Sequence, residues 1–223
     1  MRAPTSVRRT QNGNTPRRPP PFRWRLVVMA KLPVAGRVKT RLARQIGTGN
    51  ALRVYRAMTR TALTRVGGQP FWTTYLAITP DAGVTTRMLP RQCQRVPQGG
   101  GDLGARMHRP MRRLPPGPVC IIGTDIPGIR IADIRTAFQK LGRHDAVFGP
   151  AEDGGFWLVG MRRRPRVIFP YAGVRWSRDD TLAAVEANLS GVSIDRTARL
   201  ADVDDVAGLL RAQGTIGRLI SSR

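Results

Sequence analysis

Cysteine, histidine, lysine and acidic residues are all scarce in this sequence of 223 residues. The two cysteines, Cys93 and Cys120, lack C-x-x-C spacing, and two histidines are too few for a metal cluster. These counts argue against a disulfide-stapled secreted scaffold and against a structural zinc site. No apolar run approaches the roughly 18–20 residues that a membrane-spanning helix needs. We therefore expect a soluble cytoplasmic protein without a membrane span.

The shortage of acids gives the chain a formal charge of +24, from 38 basic and 14 acidic residues. Of the basic residues 35 are Arg, a bias that points to Arg-rich codon usage as much as to selection for charge. A strong basic field attracts any polyanion. No recognisable nucleic-acid-binding module accompanies it, so we expect no specific nucleic-acid partner.

Residues 1–24 are predicted to be a disordered tail. The first 25 residues contain seven Arg, five Pro and no acid. They include no apolar segment of the kind that a secretory signal needs, and the prolines at 16–21 oppose the amphipathic helix of a transit peptide. High charge and low hydrophobicity favour disorder. We place a single folded domain at residues 25–223.

The stretch at residues 26–42, LVVMAKLPVAGRVKTRL, has the pattern of a strand, a loop and a helix, and the predicted site is built around it. Its first five residues form an unbroken apolar run, typical of a strand buried on both faces. After a loop with proline and glycine, Val38, Leu42 and Ile46 form one apolar stripe of a helix. A strand that enters a helix through a glycine loop directs free backbone N–H groups at one point. Such a point favours an anion, above all phosphate.

Four basic side chains surround that point: Lys31, Arg37, Lys39 and Arg41. We interpret the segment as a phosphate-binding loop at the carboxyl edge of the first strand. The alternative is that these cations only solvate the loop. The spacing is not that of a Walker A motif, because Val38 precedes Lys39 where that motif has glycine. ATP hydrolysis of that type is therefore not indicated.

Further along the chain, apolar strands alternate with amphipathic helices. Strands are predicted at 71–78, 93–96, 119–123, 146–148, 156–159 and 192–194. Helices are predicted at 50–66, 84–89, 131–141, from a capping box at 177–180, and from about residue 205 to 214. This alternation predicts an α/β protein with three αβα layers, in which helices cover both faces of a mostly parallel sheet.

The glycine-rich segment at 99–104, GGGDLG, formally matches the dinucleotide-binding pattern G-x-G-x-x-G. The segment before it is polar and contains Pro97, which suits the buried first strand of such a site poorly. We predict instead a flexible loop that lies over a ligand, and we assign Gly101 and Asp102 to nucleotide binding.

Ligands of open α/β sheets bind at the carboxyl ends of the strands. Besides the basic loop, the acids predicted there are Asp125, the pair Glu152 and Asp153, and Asp202 or Asp204. A strand-end carboxylate that faces a phosphate loop can hold Mg²⁺ or Mn²⁺ against a diphosphate. Each acid also has a structural alternative, as a helix cap, an Asx turn or part of a solvated turn.

Six motifs follow one another along the chain: MAKLPVAGRVKTRL, GGDLGARM, VCIIGTDIPG, AVFGPAEDGGFWLVG, RWSRDDTL and LADVDD. Together they resemble the DUF2064 group of bacterial proteins with the glycosyltransferase-A (GT-A) fold. That group is also described as radical-SAM/selenodomain-associated or arsenosugar-biosynthesis glycosyltransferases. The resemblance covers residues 25–210, and GTDIPG and PAEDGGFWLVG are its most specific parts.

The resemblance implies a nucleotide-diphospho-sugar transferase fold, close to the molybdenum-cofactor and phospholactate guanylyltransferases. The site residues that it implies are Ala30, Lys31, Gly36, Lys39 and Arg41 for the nucleotide, Asp125 for the metal, and the turn from Glu152 to Gly155 beside the sugar or acceptor. We also assign Asp125, Glu152 and Asp153 to catalysis, Gly154, Gly155 and Trp176 to the substrate, and Asp204 to the metal. The sequence departs from the pattern in three places. Ala105 replaces an acid, Phe156 replaces Tyr, and the segment Asp205, Val206 and Ala207 replaces T-P-E.

Several functions stay open at this point. The leading hypothesis is a glycosyltransferase that uses Mg²⁺ or Mn²⁺, a nucleotide-diphospho-sugar donor and a small-molecule acceptor, with Asp153 or Glu152 as the base or positioning group. The second is nucleotidyl transfer from a nucleoside triphosphate with release of pyrophosphate, because a triphosphate offers more charge to the basic loop. An inactive polyanion-binding protein and a dinucleotide oxidoreductase are the remaining alternatives.

Overall fold

The computed structural model describes residues 23–91 and 93–212, and within them seven strands and six α-helices. The strands are β1 (Trp24–Lys31), β2 (Trp72–Thr79), β3 (Gln94–Pro97), β4 (Val119–Ile122), β5 (Ala146–Pro150), β6 (Phe156–Met161) and β7 (Ile194–Arg196). The helices are α1 (Thr40–Ile46), α2 (Thr48–Val66), α3 (Leu103–Arg113), α4 (Ile131–Lys140), α5 (Thr181–Ala187) and α6 (Val206–Arg211), with a 3₁₀ helix at Asp81–Thr85. The disorder predicted for residues 1–24 falls outside the described residues, except that Trp24 opens β1.

The seven strands form one sheet in the order β3-β2-β1-β4-β6-β5-β7. All neighbouring pairs are parallel except those of β6, which runs antiparallel to both β4 and β5. The predicted mostly parallel sheet is therefore confirmed. Because β1 and β4 lie side by side in the middle of the sheet, the segments that follow them emerge together at its carboxyl edge.

Helices cover both faces of the sheet, as predicted. Successive residues of β1 point to opposite faces: Leu26 and Val28 pack in one core with α2 and α4, whereas Val27 packs in the other with α3 and α5. Leu26, Val27 and Val28 are all fully buried, which explains why the strand reads as a continuous apolar run. No helix within the described part is long and apolar enough to cross a bilayer.

Three local predictions were wrong. The helix predicted at 84–89 is a 3₁₀ helix at Asp81–Thr85, which directly follows Pro80. The segment at 99–104 is not all loop, because Asp102 caps α3, a helix that the sequence patterns did not reveal. Pro110 lies inside that helix and hid its periodicity, since proline normally ends one. At the predicted capping box, Ser177 adopts a left-handed conformation and α5 begins only at Thr181.

We expect the core on the α4 side of the sheet to depend strongly on Phe138. Its side chain is 1% exposed and stacks on Trp24 at a ring-centroid distance of 4.9 Å. Phe138→Ala should lower the free energy of unfolding by about 3–5 kcal/mol, because the change removes buried surface and leaves a cavity. Phe71→Ala is the matched control, since Phe71 is 45% exposed and should cost less than about 1 kcal/mol. Denaturant titration measures both, and equal losses would contradict this account of the core.

Candidate functional site

A cleft of about 680 Å³ opens at the carboxyl edge of the sheet, between the ends of β1 and β4. The loop after β1 forms one side of it, through Lys31, Lys39 and Arg41. The residues after β4 form the floor, and the segments at 151–157 and 176–181 form the opposite side. This cleft lies at the ends of the strands where the sequence predicts the site.

The loop between β1 and α1 bends through two residues with positive φ. Gly36 has φ +75°, a conformation that glycine adopts without strain. Lys39 has φ 46°, which is left-handed and uncommon for a residue with a side chain. Helix α1 therefore begins at Thr40, two residues later than the apolar stripe suggested. This bend turns the Lys39 side chain inward, so that only 9% of it is exposed.

The ammonium group of Lys39 lies between two carboxylates. Its Nζ donates a hydrogen bond of 2.6 Å to Asp204 Oδ1 and lies 3.8 Å from Asp125 Oδ2. Burial lowers the pKa of Lys39, but the charges of Asp125 and Asp204 outweigh it and hold the pKa above its ordinary value. Lys39 therefore joins the first loop to the two acids, and its assignment to the nucleotide stays a prediction.

The acids at residues 202–204 are held against Asp125 by the backbone. The Val203 N–H donates a 3.0 Å hydrogen bond to the Asp125 carbonyl, while the Asp205 side chain caps α6 by accepting from the Gly208 N–H. The cap of the last helix is thus Asp205, and Asp204 is left to face Lys39. Gly123 also shapes the site, since a Cβ there would lie 2.4 Å from the Asp125 carboxylate.

Asp202 adds a further carboxylate to the cleft. Burial, together with the charges of Asp204, Asp153 and Asp125, raises its pKa to about 6. Burial is the larger cause of this shift, and the negative charges of the neighbouring acids add to it. The cluster is more negative than Lys39 alone can balance.

Two residues that the motifs did not single out form the floor near β1. The Tyr55 hydroxyl accepts from the Lys31 N–H and donates to the Lys31 carbonyl, both at 2.8 Å. Gln98 Nε2 donates to the carbonyls of Ala30 and Ala77, at 3.1 and 2.9 Å. In the sequence Tyr55 is one of the apolar positions of the helix predicted at 50–66, and nothing marks Gln98. Such contacts between distant segments leave no local pattern.

The opposite side of the cleft includes Asp153, Gly155 and Trp176. Asp153 Oδ1 accepts a 3.0 Å hydrogen bond from the Gly155 N–H, which fixes the turn. Gly154 belongs to that turn and does not line the cleft. Its φ is +83°, and a Cβ there would lie 2.0 Å from the Asp179 carbonyl oxygen, so the turn requires glycine at this position. The Trp176 indole N–H is buried and has no hydrogen-bond partner within the described residues.

The cleft brings together most of the predicted site residues, but not all of them. Those that line it are Ala30, Lys31, Lys39, Arg41, Asp125, Asp153, Gly155, Trp176 and Asp204. Those that do not are Gly36, Gly101, Asp102, Glu152 and Gly154. The Asp102 carboxylate accepts a 2.8 Å hydrogen bond from the Ala105 N–H as the cap of α3, and the Glu152 side chain is exposed.

The residues of the cleft fit a divalent cation through oxygen ligands. Carboxylate oxygens suit Mg²⁺ and Mn²⁺, and Mg²⁺ commonly uses one or two carboxylates together with substrate phosphates. Asp125, Asp153, Asp202 and Asp204 all line the cleft and supply such oxygens. No group of three or more ligating side chains within residues 23–91 and 93–212 forms a complete site by itself. A metal held here would need ligands from the substrate.

Solved structures share the fold of this chain. A candidate nucleotide-diphospho-sugar transferase from Desulfovibrio desulfuricans G20 matches with a TM-score of 0.73 and 23% identity, over 88% of this chain and 97% of that one. CMP:2-keto-3-deoxy-manno-octonic acid synthetase with CTP matches at 0.58 and 12%, over 88% and 99%. Rv0371c from Mycobacterium tuberculosis H37Rv with manganese matches at 0.52 and 17%, over 85% and 97%. These likenesses show the nucleotide-diphospho-sugar transferase type of fold.

The family comparison rests on sequence. No curated protein sequence matches the chain. The family described as "Uncharacterized protein conserved in bacteria (DUF2064)" matches residues 62–178, which is more than half of the chain. The matched part contains Asp125, Asp153 and Trp176, and it leaves the first loop and the acids at 202–204 outside. The chain therefore belongs to the DUF2064 family, which confirms the resemblance found in its motifs.

Proposed function

We propose that the protein is a transferase that acts on a nucleotide-activated substrate, and that glycosyl transfer from a nucleotide-diphospho-sugar is its reaction. The observation that carries this proposal is the placement of Asp125, Asp204 and the first loop around one cleft. The fold supports the coarser part of this proposal, a nucleotide-dependent transferase, because structures of the same fold include a candidate nucleotide-diphospho-sugar transferase and a synthetase bound to CTP. Residues 25–223 would act as one nucleotide-binding domain in the cytoplasm, where such donors are made.

The donor's diphosphate would lie against the first loop. Lys31 and Arg41 line the cleft, are exposed, and form no ion pair within the described residues. Lys39 is already held by two carboxylates, so two cations of the loop are left for phosphate. Two positive charges suit a diphosphate, and as the sugar leaves they would stabilise the charge that develops on the nucleoside diphosphate.

Asp125, with Asp204 or Asp202 beside it, would hold Mg²⁺ or Mn²⁺. The metal would supply charge neutralisation to the phosphate groups. The manganese complex of Rv0371c supports this cofactor for a protein of the same fold. In the absence of the metal, Lys39 partly balances the acids, which keeps the first loop close to the end of β4.

The acceptor would approach from the side of Asp153. This carboxylate lines the cleft and is fixed by the Gly155 N–H, whereas Glu152 lies outside the lining. We therefore assign Asp153, and not Glu152, to orient the acceptor hydroxyl or to take its proton. Trp176 would offer an apolar face to the sugar or acceptor on the same side.

Nucleotidyl transfer is the second candidate. It is favoured by the basic side chains that the far side of the cleft adds, Arg106 and Arg178, since more cations suit a triphosphate. Arg178 is already paired with the Asp180 carboxylate, whereas Arg106 donates only to the Gly101 carbonyl and keeps its unbalanced charge. We prefer the diphosphate donor because the two cations of the first loop that line the cleft and are unpaired among the described residues, Lys31 and Arg41, suit a diphosphate.

Asp125→Asn should abolish the stabilisation that Mn²⁺ adds to nucleotide binding. At a ligand concentration 100 times its Kd, binding stabilises the folded state by about 2.7 kcal/mol. For a chain of this size, that corresponds to a rise in Tm of roughly 5–10 °C. We expect thermal-shift measurements on the wild type to show such a rise with a nucleotide-sugar and Mn²⁺, and the variant to lose it.

Asp205→Asn is the matched control for this experiment. It removes the same charge close by, and asparagine caps a helix about as well as aspartate. Asp205 does not line the cleft, so its variant should keep the full rise in Tm. Equal rises in all three proteins would show that Asp125 holds no metal. The absence of any rise with nucleotide-sugars or triphosphates would exclude a nucleotide-dependent transferase.

The product identifies the bond that is broken. With a nucleotide-sugar and a pool of small bacterial metabolites as acceptors, we expect a free nucleoside diphosphate, measured by chromatography. Pyrophosphate released from a nucleoside triphosphate would instead establish nucleotidyl transfer.

Asp153→Asn should lower the rate of this reaction by about 10²–10⁴-fold, the range typical of a lost general base. The rise in Tm with nucleotide and Mn²⁺ should remain, because Asp153 is assigned to the acceptor. Glu152→Gln tests the neighbouring carboxylate in the same assay. A loss of rate in Glu152→Gln and not in Asp153→Asn would move the assignment to Glu152.

A further inference from the structure

A second cavity, of about 380 Å³, lies next to the cleft, and Tyr55 lines both of them. Four arginines line this second cavity, which we call the arginine pocket: Arg56, Arg60, Arg87 and Arg91. Most of its remaining wall is apolar and includes Pro33, Met88, Leu89 and Pro90. No acidic residue is among those that line it.

Two of the arginines come from α2. Arg56 and Arg60 are four residues apart, so they project from the same face of the helix about one turn from each other. Like charges at this spacing repel each other. Both side chains are exposed, and neither forms a hydrogen bond or ion pair with any other described residue.

The other two arginines belong to a segment that Arg95 holds in place. Arg95 lies on β3, and its guanidinium donates hydrogen bonds to four carbonyls at the edge of the pocket. The acceptors are Leu89 at 2.6 Å, Val84 at 3.1 Å, Pro90 at 3.2 Å and Thr86. Arg87 and Arg91 are therefore presented by a segment that is fixed to the sheet, and neither has a partner within residues 23–91 and 93–212.

Only a minority of the lysines and arginines in the described structure has an acidic partner, as Lys39 has in Asp125 and Asp204 and Arg196 has in Glu186. The arginine pocket differs from the rest of this basic surface because four arginines line one cavity and no carboxylate lines it. Guanidinium groups bind phosphate through paired N–H donors, so an outside phosphate would relieve this repulsion.

We propose that the arginine pocket is a second anion-binding site, which binds the phosphate groups of a small ligand that carries more than one of them. Its volume lies within the range of about 300–1,000 Å³ that is usual for ligand pockets. The site is separate from the donor diphosphate and does not depend on the reaction proposed above. Its phosphates belong either to a free polyphosphate or to the phosphorylated end of a substrate that extends past Tyr55.

The test is the binding of inorganic tripolyphosphate to the full chain, measured by calorimetry without metal. The double variant Arg56→Gln/Arg60→Gln should bind about tenfold more weakly at this site, because charge-assisted contacts are lost. If the first loop binds a second tripolyphosphate, its affinity should be the same in the wild type and in this variant. Both arginines are exposed, so the variant should fold normally.

The matched control is Arg112→Gln/Arg113→Gln, at the far end of α3. Both of these arginines are exposed and lie outside the two cavities, and the change in net charge is the same. This variant should bind tripolyphosphate like the wild type. Equal weakening in both double variants would show general attraction to a basic protein, and no weakening in either would show that the pocket binds no phosphate. Both results overturn the proposal.

A second measurement locates the ligand. Tripolyphosphate should protect Arg87 and Arg91 from an arginine-selective dicarbonyl reagent, and it should leave Arg112 and Arg113 reactive, as read by mass spectrometry. Unprotected Arg87 and Arg91 would contradict the proposal. So would a single-stranded oligonucleotide that binds the wild type more tightly than tripolyphosphate does and discriminates between the two double variants, since the pocket would then be a nucleic-acid surface.

Repeating the titration with the cleft saturated by a nucleotide-sugar and Mn²⁺ distinguishes the two sources of phosphate. An unchanged affinity for tripolyphosphate assigns the site to a free polyphosphate. An affinity that changes about tenfold or more assigns it to a substrate that occupies both cavities, and either result is consistent with the second site.

Discussion

The contact of the Lys39 ammonium with Asp204 and Asp125 is the interaction on which the rest of the site depends. It joins three segments that are far apart in the chain: the loop after β1, the loop after β4, and the residues before α6. The left-handed backbone of Lys39 turns its side chain inward, and the backbone hydrogen bond from Val203 to Asp125 brings the acids to meet it. Without this tie, the cluster would hold only negative charge.

The same contact changes how the basic first loop is understood. As a row of cations, the loop suggests a surface that receives phosphate with every side chain. In the folded protein Lys39 belongs to the acids, and Lys31 and Arg41 face the cleft. The charge available to a ligand is therefore set by which cations are already paired. The proposed preference for a diphosphate donor rests on that distinction, since the net charge of +24 says nothing about it.

Tyr55 lines two regions that differ in charge. The cleft contains carboxylates together with the cations of the first loop, whereas four arginines and no acid line the arginine pocket. The Tyr55 hydroxyl is fixed to the backbone of Lys31 at both its N–H and its carbonyl, which makes this wall part of the β1 end.

The sequence by itself determined the architecture, because burial leaves a pattern that depends on local spacing. The apolar run at 26–30 marks a strand buried on both faces, and the polar turns between such runs place the strand ends. The sequence also indicated Asp125, Asp153 and Lys39 as candidate site residues, because they lie in the loops that follow β4, β5 and β1. The assignment of Glu152 and Asp102 to the site came from the same reasoning, and the structure places both outside the cleft lining.

Only the tertiary structure decided which of these side chains meet. Asp204 and Asp205 are neighbours in the chain, yet one binds Lys39 and the other caps a helix, and no sequence pattern distinguishes them. Gln98 and Tyr55 contribute to the site through hydrogen bonds to strands that are distant from them in sequence. Helix α3 was not predicted, because Pro110 lies inside it and proline normally ends a helix. Local periodicity reports burial along one element, whereas a site is made by side chains from several elements, whose distances are fixed only when those elements pack.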